Sequence, residues 1–334
     1  MDIELQRRTI DTLPYVAGDK KFIDLPKDEP LHSLLCRMTG RLTISGGTTS
    51  GTPWTENPMT LINKLRVYGT AKRIEKQLTN GQRVLFSQGG NKEIHSIDAS
   101  MLYTLNSIYK GKLSERMSIS AGAAASYDFI STFEVPFHAI GMGQASILTS
   151  LLPAWWFSEL RMEVEWKNGI LTAGGGLISA GDRALALTAY GSGAGSPQIT
   201  TVAVQAMNID HNTYLPALFR TYKKTLVTEV AEGARKEAMN KGPLYRAMLF
   251  RGFSDTAERP TTDALVNHVK VNVGGNPRED WDWLHLQAEN DSFFGIDLPT
   301  GYAMIDPVRD GMPQQMIDTS DYSEEGTSFE LELN

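Results

Sequence analysis

The chain has 334 residues, 41% hydrophobic and 21% charged, which suits a packed protein with two domains of roughly 150 residues each and excludes a disordered chain. A net charge of -7 argues against a broad face that neutralises a nucleic-acid backbone, because such a face needs many Lys and Arg. A lone cysteine, Cys36, excludes an intrachain disulfide and a cysteine-based zinc cage.

In chain order, Met1 to Ile10 is polar and lacks an apolar h-region, and no window reaches about 18 uninterrupted apolar residues. Neither a signal peptide nor a membrane span is expected. Residues 1–19 read as an N-terminal arm. Its Arg7 and Arg8, with Lys20 and Lys21, suit either contact with an anionic membrane or genome or a solvated tail. Cys36 follows Leu34-Leu35 and is expected to be buried as a small hydrophobe. Arg41 to Ser45 and Lys64 to Tyr68 alternate apolar and polar residues, the period of a strand with one buried face. Ile97 to Tyr109 reads as a helix, Phe129 to Phe137 as a strand, Ile147 to Phe157 as a helix despite Pro153, and Leu160 to Trp166 as a strand. Gly169 to Gly195 holds two glycine-rich runs and reads as an irregular loop. No Gly-Lys-Ser/Thr ending or dinucleotide fingerprint accompanies them. Further strands are expected at Thr201 to Met207, Thr225 to Val230, Tyr245 to Phe253, Leu265 to Val273, Tyr302 to Ile305 and Phe329 to Leu333, with helical segments at Val230 to Met239 and Trp281 to Leu286. Many short strands with turn punctuation favour an all-β sandwich over βαβ units.

Chemical motifs are sparse. The six histidines (His32, His95, His138, His211, His268, His285) are scattered without a His-x-His or His-Glu-x-x-His pattern, so no local zinc signature exists. His138 stands alone in Pro136-Phe137-His138-Ala139, and His268 reads as a packed or half-exposed strand residue. No Gly-x-Ser-x-Gly elbow occurs. Carboxylates cluster at Glu279, Asp280 and Asp282 and at Asp318 with Asp321. Asp306, Asp310 and Asp318, near Gly311, are candidate ligands for a structural calcium ion, although they do not match an EF-hand. Trp155, Trp156 and Phe157 fit a core plug with an intersubunit contact, and a sugar platform or membrane anchor are the alternatives. Trp281, Trp283, Phe293 and Phe294 take the same reading.

Two segments share a texture: Leu61 to Gly69, containing Leu65-Arg66-Val67, and Leu265 to Gly274, containing Val269-Lys270-Val271. Each places aliphatic, basic and aliphatic residues before a glycine expected to turn the chain. Apolar strands precede both, at Leu34 to Ile44 and Leu244 to Phe253. After a longer interval each is followed by an apolar strand, a connection and a final alternating strand, ending at Trp166 and at Leu333. Parallel order in two halves is the mark of a repeated fold. The expected division is a first sandwich over 20–210, including a Gly-rich insertion at about 169–200, and a second over 211–334.

From about residue 20 onward the chain resembles the double jelly-roll major capsid proteins of tailless, membrane-containing icosahedral bacteriophages, the lineage that includes the adenovirus hexon. The resemblance rests on Leu61 to Gly69 with the Thr79-Asn80-Gly81-Gln82 turn, the block Phe133 to Trp166, and the ending Gly301 to Gly311, Ile317 to Ser320 and Phe329 to Leu333. It implies two tandem antiparallel eight-stranded jelly-roll sandwiches with a few short helices, and a structural rather than catalytic role. It also implies a homotrimer of nearly hexagonal outline in the capsid shell of a virion, made in the host cytoplasm and standing above an internal membrane. Implied partners are neighbouring capsomers and minor capsid, penton or spike proteins, with no specific nucleic-acid recognition. Two sandwiches per chain in a threefold trimer give six comparable sides, which suits closed symmetric tiling. Two rivals stand beside this reading: a carbohydrate- or receptor-binding viral spike, and a cupin-like metal enzyme.

Overall fold

A computed structural model describes residues 4–45, 58–71, 75–77, 83–85, 91–110, 125–168, 184–192, 194–211, 214, 219, 221, 235–241, 243–253, 262–319 and 329–333. The chain forms two compact units. The first holds Met1–Asn106, Ser114–Ile140 and Gln144–Lys223, and the second Ser107–Leu113, Gly141–Gly143 and Lys224–Asn334. The first unit therefore reaches past the expected boundary at 210. Residues beyond it are tied to that unit: Tyr214 donates its hydroxyl to the Leu148 carbonyl (2.9 Å), and Ser96 N–H donates to the Thr221 carbonyl (3.0 Å).

In the first unit the elements are β1 (Leu5–Pro14), β2 (Lys20–Asp24), β3 (Leu31–Ser45), β4 (Ile62–Ala71), β5 (Glu75–Gln77), β6 (Arg83–Leu85), β7 (Asn91–Ile97), α1 (Ala99–Lys110, whose last turn belongs to the second unit), β8 (Ala125–Pro136), α2 (Gln144–Leu148), β9 (Phe157–Trp166), β10 (Ala184–Thr188) and β11 (Gln198–Ala206). One sheet has the order β1-β11-β3-β10, with β8 on the other side of β3, and a second has the order β2-β9-β4-β7. Strand β3 points Leu34, Cys36, Met38 and Leu42 into the interior, while β9 does so with Leu160, Met162, Val164 and Trp166. The alternation seen in the sequence is the inward face of each sheet.

The second unit contains β12 (Arg235–Ala238), β13 (Leu244–Tyr245), β14 (Met248–Arg251), β15 (His268–Val273), β16 (Asn276–Asp282), α3 (Trp283–Phe294), β17 (Tyr302–Ile305), β18 (Ile317–Asp318) and β19 (Phe329–Leu333). Its main sheet has the order β12-β19-β15-β16, flanked by the pairs β13-β18 and β14-β17. Val269, Val271, Val273, Trp283, Leu286, Phe329 and Leu331 share its core.

Several sequence expectations are corrected. The N-terminal arm is not a tail over Leu5–Pro14, which is paired antiparallel to β11. Its polar side chains are compatible with the sheet edge because only Leu13 is buried. The Gly-rich stretch contributes a core-sheet strand, β10, whose Ala-Leu-Ala-Leu alternation pairs with β3. Residues 235–238 of the expected helix form edge strand β12, which pairs with β19. Helix-forming Arg, Lys, Glu and Ala are overridden there by a tertiary pairing. Ile147 to Phe157 is not one helix: α2 ends at Leu148, Leu152 bridges antiparallel to Leu31, and a 3-10 turn over Ala154–Trp156 follows Pro153. Trp281 lies in β16, and α3 starts after Asp282, whose carboxylate accepts from the backbone N–H groups of Leu284 and His285. Thr225 to Val230 and the Thr79 to Gln82 turn lie outside the described residues, as do residues 169–183.

Candidate functional site

The duplication is visible strand by strand. In the first unit β4 lies between β7 and β9, and β2 pairs with β9's other side. In the second unit β15 lies between β16 and β19, and β12 pairs with β19's other side. The registers match too. Leu65, Arg66 and Val67 face Val164, Glu163 and Met162, while Val269, Lys270 and Val271 face Leu333, Glu332 and Leu331. In both sheets a basic residue sits opposite a glutamate between aliphatic pairs, a favourable cross-strand arrangement. The strand pairs β3-β8 and β14-β17 repeat in the same way. One expected equivalence fails. Gly274 does turn the chain, with φ +58°, but Gly69 sits inside β4, where a Cβ would come within 2.6 Å of the Phe157 ring. That glycine serves close packing rather than a turn.

A side-chain device, not anticipated from the sequence, repeats as well. Helix α1 follows β7 and precedes β8; helix α3 follows β16 and precedes β17. Counting from Ala99 and from Trp283, the eighth residue of each helix is a buried asparagine, Asn106 or Asn290. Asn106 Nδ2 donates to the Glu134 carbonyl (2.9 Å) and its Oδ1 accepts from Glu134 N–H (2.8 Å). Asn290 Nδ2 donates to the Met304 carbonyl (2.8 Å) and its Oδ1 accepts from Met304 N–H (2.8 Å). Each amide thus mimics a neighbouring strand and satisfies both backbone groups of one residue on β8 or β17, which would be costly to bury unpaired.

The three candidate calcium ligands are not brought into one group. Asp306 is buried and ion-paired with Arg246, and it accepts hydrogen bonds from the Tyr109 hydroxyl (3.0 Å) and Val308 N–H (2.9 Å). Gly141, with φ +66°, lets the chain pass this cluster, since a Cβ there would lie 2.6 Å from the Tyr109 ring. Burial pushes the Tyr109 hydroxyl well above the usual tyrosine range. Asp310 is exposed and accepts from the Gln315 side chain (2.9 Å), whereas Asp318 pairs through its backbone with Leu244 in β13. Asp321 lies outside the described residues.

Among the aromatic candidates, Phe157 and Trp283 are buried within the single chain, so they serve their own cores. Trp155, Trp156 and Trp281 are half-buried. Trp155 stacks on His211 (ring centroids 4.0 Å apart, 12° between planes), and Trp281 Nε1 donates to Glu279 (2.8 Å). Phe293 is exposed and packs edge-on against Phe294, with Arg309 over its ring.

Two histidines that stand far apart in sequence meet. His32 and His138 stack at 4.1 Å, and Glu134 lies beside them. Among the described residues this is the single group of three side chains with ligand atoms within 4.8 Å of one another. His268 lies 2.6 Å from Asp280, His211 lies 3.2 Å from Glu29, His95 contacts the Thr221 hydroxyl, and His285 is exposed.

No protein-family model and no curated protein matches the chain. Its fold, however, is similar to solved capsid proteins over nearly its whole length. The crystal structure of the STIV MCP aligns with a TM-score of 0.67 at 13% identity, covering 99% of this chain and 95% of that one. A structure of Sulfolobus Turreted Icosahedral Virus gives 0.62 at 12% identity, covering 99% and 89%. The major capsid protein of bacteriophage PM2 gives 0.54 at 11%, covering 99% and 91%. The fold is a double jelly roll. Each roll carries its own antiparallel core, a four-stranded sheet of shared order, and a helix anchored through one asparagine. Exposed apolar side chains occur on both rolls, including Phe22 and Ile130 on the first and Leu244, Leu284 and Met312 on the second. Among the described residues no helix is long and apolar enough to cross a membrane.

Proposed function

We propose that the chain is the major capsid protein of an icosahedral virus, a structural building block rather than a catalyst. The observation that carries the reading is the repetition of one sheet order, one cross-strand register and one helix anchor in two tandem rolls. A homotrimer of such chains presents six similar sandwiches around a threefold axis, so one molecule supplies a near-hexagonal tile with repeated sides. The likeness to viral capsid proteins across 99% of the chain supports the same conclusion. In this reading the exposed apolar residues face neighbouring capsomers or minor capsid, penton or spike proteins, and the shell encloses an internal membrane. Size-exclusion chromatography with light scattering tests it. The expected particle has three times the 36.9 kDa mass of one chain, or assembles further into shells. A monomer at every concentration tried contradicts it.

A further inference from the structure

The first roll brings the side chains of His32, Glu134 and His138 together. His32 is the second residue of β3, Glu134 lies on β8, and His138 stands two residues past the end of β8. The ladder between these strands continues to this end, where Phe137 N–H donates to the His32 carbonyl (3.0 Å). His138 Nδ1 lies 3.1 Å from that same carbonyl oxygen. A carbonyl accepts only, so Nδ1 carries a proton and Nε2 is the ring nitrogen left for a ligand. A histidine whose other ring nitrogen donates to a backbone carbonyl is oriented as metal-ligating histidines are. His32 Nδ1 lies 3.9 Å from Glu134 Oε1 and 3.1 Å from Ser33 Oγ. Burial, helped by the neighbouring His138, pulls the His32 pKa down to about 4, so its imidazole is neutral at neutral pH even beside a carboxylate. Two imidazoles and one carboxylate thus converge, a donor set of two nitrogens and one oxygen.

We infer that His32, Glu134 and His138 form a binding site for one divalent transition-metal ion of the zinc type. Their ligand atoms lie within 4.8 Å of one another, and a tetrahedral ion with bonds of about 2 Å needs separations of roughly 3.3 Å. Closing that gap requires the two rings, now stacked with centroids 4.1 Å apart and 29° between planes, to turn their nitrogens toward a common point. Imidazole with carboxylate suits zinc, cobalt or nickel, whereas calcium prefers an all-oxygen shell. The ion bridges β3, β8 and the chain leaving β8 toward α2, pinning the end of the longest strand pair of the roll. Water completes the coordination, because three protein ligands leave a position open.

The test uses the full chain, stripped with a chelator and titrated with Co2+. Visible d–d bands are expected to saturate at one ion per chain, to be displaced by Zn2+ and to be unaffected by Ca2+. His138→Ala and Glu134→Gln are expected to weaken binding at least tenfold, while His268→Ala and His285→Ala leave it unchanged. Zinc should raise the melting temperature of the unaltered chain and not of His138→Ala. Absence of the bands in the unaltered chain, or equal binding by His138→Ala, overturns the inference. If a variant does not fold, as read by circular dichroism, X-ray absorption of the unaltered chain with zinc decides: two imidazoles per ion sustain the site, and an all-oxygen shell refutes it.

Discussion

Replacing Asn290 by leucine tests whether each repeated asparagine anchor stabilises its own roll. The change keeps the side chain's size but removes both bonds to Met304, leaving one N–H and one C=O of β17 without those partners in a site where Asn290 is 1% exposed. Each buried backbone group left unsatisfied costs about 1–3 kcal/mol, so the loss is about 2–6 kcal/mol. Asn106→Leu removes the same pair of bonds to Glu134, plus a bond to the Leu102 carbonyl, and should cost the first roll a similar amount. Urea unfolding followed by far-ultraviolet circular dichroism reads the effect as a lower midpoint with an unchanged slope. Losses below about 1 kcal/mol in both variants would refute the anchoring role, since even one unsatisfied buried group exceeds that on average.

Further outcomes are specific to single sites. Arg246→Met strands the buried Asp306 carboxylate and should destabilise the second roll by about 3–5 kcal/mol, while the double change with Asp306→Leu recovers much of it in a thermal melt. The folded His32 pKa of about 4 lies below its ordinary 6.5, so between these values the unfolded chain binds more protons. Stability therefore falls as pH drops from 6.5 toward 4, and His32→Asn flattens that part of the pH profile. Cys36 is fully buried and its thiol is pushed up to about 12. It should resist a thiol-specific disulfide reagent at pH 8 and react at once in denaturant.

Much of the fold is legible in the sequence because its strands have one buried face. Leu160, Met162, Val164 and Trp166 alternate inward on β9, and the aliphatic-basic-aliphatic repeat marks β4 and β15 before any pairing is known. Strands that depend on tertiary partners are not legible. β1 and β12 are polar edges recognisable only through β11 and β19, and β10 hides among glycines. The ends of α3 carry local signals, with Asp282 capping the start and Gly295 the finish in the left-handed region. The His32, Glu134 and His138 group is invisible in sequence because β3 and β8 bring together residues about a hundred positions apart, and no local spacing encodes that register. The carboxylates near Gly311 mislead for the opposite reason. They are close in sequence, but Asp306 turns inward to Arg246 while Asp310 stays outside.

Electron cryomicroscopy of the purified protein tests the capsid assignment most directly. The account predicts three copies about a threefold axis, with six sandwiches in a near-hexagonal ring. Solitary chains, or dimers in which the two rolls make unlike contacts, would contradict it.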